Sequence, residues 1–300
     1  MNRAFRLALA GILVTLACFS FCPSLCAAGR AECRSLPSKI LARAVPYCTL
    51  LPPSYDADKA RRYPILYFLH GLGENEEILL SSGGMNLIGD LRGRGMLGDF
   101  VIVTPDGGRS FYVNSRDGHA RYEDFFVREL IPFIESHYRV RAERRYRGIS
   151  GVSMGGYGAL RLSLRFPGLF GSVSAHSAAL VEKLPSTKLS TSQQMALSQI
   201  LGSAFGTPPD RTFWDRNNPF TLVRESLGLH GLQIYFDCGT EDDFGFNAGA
   251  QAFHDLLVSR GIPHEFHLYS GGHNWGYVVQ HFAASLQFHS RAFGLGPPSR

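Results

Sequence analysis

Residues 148–160, GISGVSMGGYGAL, crowd glycines around a single serine. Ser153 stands in the pattern Gly151-Val152-Ser153-Met154-Gly155, with a further glycine at 156. A serine at a sharp strand-to-helix turn takes strained backbone angles that push its hydroxyl into the open, and small neighbours let strand and helix close up behind it. The chemistry open to such a group is nucleophilic attack on a carbonyl. The helix expected over 155–166 adds free N–H groups and a positive dipole where negative charge would develop. Short glycine-serine patterns also arise by chance, so the reading depends on partners elsewhere in the chain.

A serine hydroxyl is a weak nucleophile until a base takes its proton, and the base needs an acid to orient it. Two later loops carry suitable groups: IYFDCGTEDDFG at 234–245 and YSGGHNWGY at 269–277. His273, beside two glycines and an asparagine, is the histidine expected to serve. His264 and His267 fall in a strand pattern, and His281 and His289 in a helical one. Asp237, Glu241, Asp242 and Asp243 are all candidate acids. Asp237 ends the strand proper, so Asp242, out in the loop, is the better placed.

An oxyanion formed on attack needs two N–H donors. Met154, directly after the serine, is one; Leu72, in the loop LHGLGEN, is the other, with glycines at 71 and 73 letting that loop close in. His70 reads as a structural hydrogen-bonding group beneath the loop. No metal site is expected, because HEFH at 264–267 puts its histidines on opposite faces of a strand. Trp275, Tyr112, Asn114 and Trp214 are the side chains expected to shape a pocket.

Elements must hold these groups in place. The runs YPILYFLHG, DFVIVTPDGG, RYRGISG, FGSVSAHS, LQIYFDCG and PHEFHLYSGG are continuous apolar stretches of strand length, as strands buried on both faces are. Between them, residues 121–137, 155–166, 246–260 and 274–288 place apolar side chains at helical spacing. Strand and helix in alternation predict an α/β fold with a mostly parallel sheet covered on both faces. CRSLPSK and RAVPYCTLLPP add an N-terminal hairpin turning near Ile40 and Leu41, which brings the count to about eight strands. In that register Cys33 faces Cys48, and a disulfide is expected between them. Residues 179–228 break the rhythm and read as a small cap inserted into the scaffold, too poor in apolar residues to be a second domain.

With 300 residues, 45% hydrophobic and 18% charged, the chain has an ordinary globular balance and no fixed-period repeat. Arg3 and Arg6 precede the apolar run 7–22, then Pro23 and SLCAAG, which reads as a secretory signal peptide cut after about Ala28, leaving 29–300 as one domain. The run is short of the roughly 20 residues a membrane span needs. A weaker reading takes Thr15–Cys18 as a poor lipobox, with a lipid anchor at Cys18. Removing Arg3 and Arg6 lowers the formal net charge of +5 by two, to +3, too little to argue for nucleic acid. The basic run Arg139, Arg141, Arg144, Arg145 and Arg147 reads as a solvated connection. Cys18, Cys22 and Cys26 leave with the signal, and Cys238 reads as a buried small hydrophobe.

LPPSY, FLHGLG, PDGGRSFYVNS, GISGVSMGGYGAL, DCGTED and GGHNW together resemble the esterase D family of α/β-hydrolases, from about residue 33 to 290. That family includes S-formylglutathione hydrolases, tributyrin esterases, feruloyl esterase modules and mycolyltransferases. The resemblance implies an α/β-hydrolase fold and a serine triad without cofactor, with Ser153 as nucleophile, Asp242 as acid, His273 as base, and Leu72 and Met154 as oxyanion donors. It implies a carboxylesterase acting on short acyl or aryl esters, small-molecule or carbohydrate, acetyl and feruloyl groups included, and the signal-peptide reading makes that enzyme secreted or periplasmic. Acyl transfer, as in mycolyltransferases, and cleavage of S-formylglutathione are the alternatives. Export argues against the latter, whose substrate is cytosolic. A binding module with an idle triad is disfavoured by the completeness of the set.

Overall fold

The structure is a computed structural model that describes residues 29–184, 190–229 and 231–296. The proposed leader and Cys18 lie outside the described residues. Eight strands form one sheet: β1 (Arg30–Ser38), β2 (Arg43–Leu51), β3 (Ile65–Leu69), β4 (Val101–Pro105), β5 (Arg147–Val152), β6 (Ser172–His176), β7 (Gln233–Gly239) and β8 (Glu265–Tyr269). Their order is β1-β2-β4-β3-β5-β6-β7-β8. β1 and β2 are antiparallel to their neighbours, and β3 to β8 are all parallel. This is the α/β-hydrolase architecture.

Helices follow in chain order: α1 (Ser54–Ala57), α2 (Ile78–Ser81), α3 (Gly84–Gly93), α4 (Tyr122–Phe125), α5 (Ile131–His137), α6 (Met154–Arg165), α7 (Thr191–Phe205), α8 (Arg211–Asn217), α9 (Pro219–Glu225), α10 (Phe246–Ser259) and α11 (Trp275–Ala292). A π-helical segment, Phe126–Leu130, joins α4 to α5. Successive strand residues face opposite ways, so β3 sends Ile65, Tyr67 and Leu69 into one core and Leu66 and Phe68 into another. The first core is closed by α4, α5, α6 and α10; the second by α3 and α11, through Ile88, Leu91, Phe282 and Leu286. Helix α3 has no counterpart among the helical spacings read from sequence, because glycines at 84, 89 and 93 thin out its apolar pattern.

The hairpin turns at residues 39–42 and pairs Cys33 with Cys48, which are joined in a disulfide. Cys238 is a buried free thiol. Strand β8 departs from expectation. It lies at the sheet edge, no residue of it is fully buried, and Glu265 and Leu268 are exposed. An apolar run thus marks a strand without telling an edge from the centre. The basic run is not simply solvated either. Arg147 is buried, with Nε 2.8 Å from Glu135 Oε1 and Nη1 donating to Leu169 O at 2.6 Å. The Arg139 guanidinium stacks 3.9 Å over the Tyr55 ring. Long aliphatic stems and partnered charges let arginines sit inside a connection that charge counting places in water.

His289, fully buried on α11, meets Ser172 Oγ at 2.8 Å and Ser174 Oγ at 2.9 Å across the sheet. Burial, with a smaller push from His176, lowers its pKa to about 3. Unfolded imidazole titrates near 6.5, so between those values the unfolded chain takes a proton that the folded chain refuses, and stability falls as pH drops. From pH 7 to pH 5 this group is expected to remove about 2 kcal/mol, at about 1.4 kcal/mol per unit below 6.5. Thermal unfolding at both pH values should show that loss in the wild type and a smaller one in His289→Gln. Equal losses would contradict a neutral buried imidazole.

Candidate active site

Strand β5 runs straight into α6, and Ser153 sits at the junction with φ 54° and ψ −115°. A side chain at Gly151 would come within 2.3 Å of the Gly155 backbone, and one at Gly155 within 2.0 Å of Leu69 O. The glycines therefore permit the close approach of β5, α6 and β3 that forces the bend. The strained residue is held from both sides: its N–H donates to His176 O at 2.9 Å, and its carbonyl accepts from Ala179 N at 3.0 Å.

Loops after β7 and β8 bring the partners. A side chain at Gly239 would strike Gly271 O at 2.2 Å, so these loops touch. His273 Nε2 lies 3.0 Å from Ser153 Oγ, and its Nδ1 lies 2.7 Å from Asp242 Oδ2. The other Asp242 oxygen accepts the N–H groups of Phe244 at 3.0 Å and Phe246 at 3.3 Å. Burial raises the Asp242 carboxyl, but the hydrogen bond and charge of His273, with those two N–H groups, outweigh it and hold the group below the ordinary carboxylate range. An ionised acid opposite Nδ1 fixes the tautomer that leaves Nε2 free to accept from serine. Cys238, its thiol pushed up to about 12 by burial, stays protonated with Sγ 3.6 Å from Asp242 Oδ2. Phe244 and Phe246 pack edge-on against the His273 ring.

Of the other candidate acids, Asp237 is buried beneath the site. It lies 2.8 Å from His176 Nδ1 and accepts from Tyr277 Oη at 2.8 Å. Glu241 Oε1 takes the Thr240 and Ser270 hydroxyls, each at 3.3 Å. Neither makes a hydrogen bond to His273.

Leu72 and Met154 both line the cavity beside Ser153, and among the described residues neither N–H finds an acceptor within the protein. Met154 is the first residue of α6, where no intrahelical acceptor exists. His70, beneath the loop, accepts Gly107 N–H at Nε2 (2.7 Å) and contacts Gly71 O with Nδ1 (2.8 Å).

The cavity holds about 420 Å³. Its apolar lining comes from Phe111, Val181, Leu184, Leu197, Ile200, Leu201 and Trp214, together with Phe244, Phe246, Trp275 and Val278. Residues Leu197 to Leu201 lie on α7 and Trp214 on α8, both in the segment read as a cap. Trp275 lines the cavity; Tyr112 and Asn114, also expected to shape it, do not. The Tyr112 ring is fully buried, so close to Gly107 and Gly158 that a side chain at either would meet it at 2.5 Å, and its hydroxyl donates to His70 O at 2.9 Å. Its neighbour Phe111 takes the wall instead; both have positive φ, 50° and 56°, a tight turn that periodicity cannot anticipate. Asn114 Oδ1 accepts Asp124 N–H at 3.1 Å, tying the loop to α4. Sequence reading missed Glu74, which lines the cavity and whose carboxylate accepts from Gly71 N at 2.7 Å and from Trp275 Nε1. The available signal was an acid three residues past Gly71, within reach of that loop's N–H groups.

Similarity to known proteins bears on this arrangement. The chain is 30% identical over 243 residues to Esterase Rv1288 of Mycobacterium tuberculosis, covering 75% of this chain and 51% of that protein, so it spans about half that relative's length. It is 26% identical over 229 residues to an acetyl esterase of Caldicellulosiruptor saccharolyticus, covering 75% of this chain and 83% of that one. Among solved structures, a ferulic acid esterase superposes with a TM-score of 0.75 at 28% identity, covering 88% of this chain and 98% of that one. The family model Esterase, whose description reads "Putative esterase", matches residues 38–289. With a match over most of its length and an eight-stranded sheet that carries serine, histidine and aspartate at its strand ends, the chain belongs to the Esterase family.

Proposed function

We propose that the chain is a serine carboxylesterase that hydrolyses esters of short apolar or aryl acids through an acyl-enzyme. The observation that carries this reading is the hydrogen-bonded series Ser153–His273–Asp242, whose hydroxyl end opens into an apolar cavity. His273 takes the proton as Ser153 Oγ adds to the ester carbonyl, and Asp242 steadies the imidazolium that forms. The carbonyl oxygen, now negative, turns toward the Leu72 and Met154 N–H groups. Collapse expels the alcohol with the proton from His273. Water then enters by the same route, and the acid leaves with Ser153 restored. Each oxyanion donor is expected to contribute about 3 kcal/mol to the barrier reduction.

The cavity also bears on the acyl group. Its walls are almost wholly aliphatic and aromatic, and the polar groups that face it, Glu74, Ser153, Ser177, His273 and Asn274, belong to the catalytic end and its surroundings. Two proteins similar to this chain, an acetyl esterase and a ferulic acid esterase, bear names of the same chemical kind. Export is part of the proposal. It is supported by the N-terminal pattern and by the Cys33–Cys48 disulfide, a bond that persists in oxidising compartments. No helix among the described residues is long and apolar enough to cross a membrane.

A panel of p-nitrophenyl esters from acetate to palmitate, with methyl ferulate alongside, tests the proposal. At about 0.8 kcal/mol per buried methylene, kcat/KM should rise about fourfold with each added carbon until the cavity is full, then fall for palmitate. A folded protein that turns over none of the panel would overturn the reading.

A further inference from the structure

The two peptide planes of the loop after β3 have four polar groups, and three of them are engaged. His70 C=O accepts from Tyr112 Oη at 2.9 Å, Gly71 N–H donates to Glu74 Oε2 at 2.7 Å, and Gly71 C=O faces His70 Nδ1 at 2.8 Å. In a trans peptide the N–H points opposite to the C=O, so the grip on Gly71 C=O turns the fourth group, Leu72 N–H, the other way. Tyr112 and His70 hold this loop to the scaffold beneath it. Glu74 differs from both in where it reaches, because its second oxygen accepts from Trp275 Nε1 on the side of the base. Trp275 begins α11, two residues after His273. One carboxylate thus spans the loop that carries an oxyanion donor and the loop that carries the base.

We propose that Glu74 is a positioning residue, a clasp that holds Leu72 N–H and the His273 loop in register so that proton removal and oxyanion capture address the same carbonyl. The inference rests on the reading of Ser153 as the attacking group. Two oxygens on one planar group meet two donors from separate loops. Gly71 is confined between them: a side chain there would lie 3.0 Å from Glu74 Oε2 and 3.6 Å from Ser153 Cβ. The alternative role, structural support of the fold alone, would couple Glu74 to unfolding rather than to the transition state.

The test compares Glu74→Gln and Glu74→Ala with the wild type, using p-nitrophenyl butyrate turnover, thermal unfolding and inhibition by an aliphatic trifluoromethyl ketone. That ketone adds Ser153 Oγ to give a tetrahedral adduct whose oxygen occupies the oxyanion position. Glu74→Gln keeps one acceptor of two and should lower kcat about tenfold; Glu74→Ala should lower it about a hundredfold, toward the loss seen when an oxyanion donor is removed. KM should stay within about twofold, and ketone affinity should fall in step with kcat/KM, as expected of an interaction felt in the transition state. Because Glu74→Gln is nearly isosteric, it keeps the question answerable should Glu74→Ala unfold. The proposal is overturned if Glu74→Gln keeps wild-type kcat, or if kcat falls while ketone affinity holds. A wild type inert to every ester would instead remove the esterase reading itself, a result distinct from either.

Discussion

Ser153→Ala is expected to abolish the turnover of p-nitrophenyl butyrate almost completely, by about a millionfold in kcat. The size follows from what is lost. Without Oγ there is no acyl-enzyme, and His273, 3.0 Å from that oxygen in the native site, has only water to activate. What survives is binding in the cavity and two N–H donors aimed at a carbonyl, worth about a thousandfold over uncatalysed hydrolysis in comparable sites. The fold should be indifferent, since removing one strained, partly exposed hydroxyl opens no cavity. Steady-state assays with active-site titration settle the matter, and retention of more than about a thousandth of wild-type activity would exclude Ser153 as the nucleophile.

The second large effect is expected at Asp242. Asp242→Asn should lower kcat about ten-thousandfold while leaving KM near the native value. An amide can turn its nitrogen toward His273 Nδ1, which then becomes the acceptor. Nε2 would carry the proton, and a protonated Nε2 cannot take one from serine. Asp237→Asn makes the informative comparison. Asp237 answers to His176 and Tyr277 rather than to His273, so its variant should lose stability and keep most of its turnover. An inactive Asp237 variant beside an active Asp242 variant would reassign the acid.

Much of this site can be read in the chain itself, for identifiable reasons. The elbow announces itself because steric exclusion at Gly151 and Gly155 writes glycine into fixed positions around Ser153. Strand ends are legible because apolar runs stop at glycine and acid, which places the loops of Asp242 and His273. Hairpin symmetry pairs residue 33 with 48. What stays hidden depends on contacts between segments distant in sequence. Nothing local says that Tyr112 turns inward while Phe111 takes the cavity wall, since the choice follows from positive φ at both residues and from the room that Gly107 and the distant Gly158 leave for the Tyr112 ring. Arg147 looks solvated until Glu135 and the Leu169 carbonyl are seen around it. Glu74 looks like one acid among several in GENEE; its meaning appears only when Trp275, from the far end of the chain, arrives beside it.

The segment between β6 and β7 also bears on how the protein could be retuned. Trp214 stacks on Tyr157 of α6, 5.6 Å between ring centres, and Phe205 meets both rings, so this part of the cavity wall is continuous with the main core. Ile200, by contrast, is 37% exposed, and Leu197 is only partly covered. Substrate choice and thermal robustness are therefore entangled at Trp214 and separable along the outer turns of α7. A breeder of new acyl preferences would find inexpensive variation at Leu197 and Ile200 and a fragile molecule at Trp214.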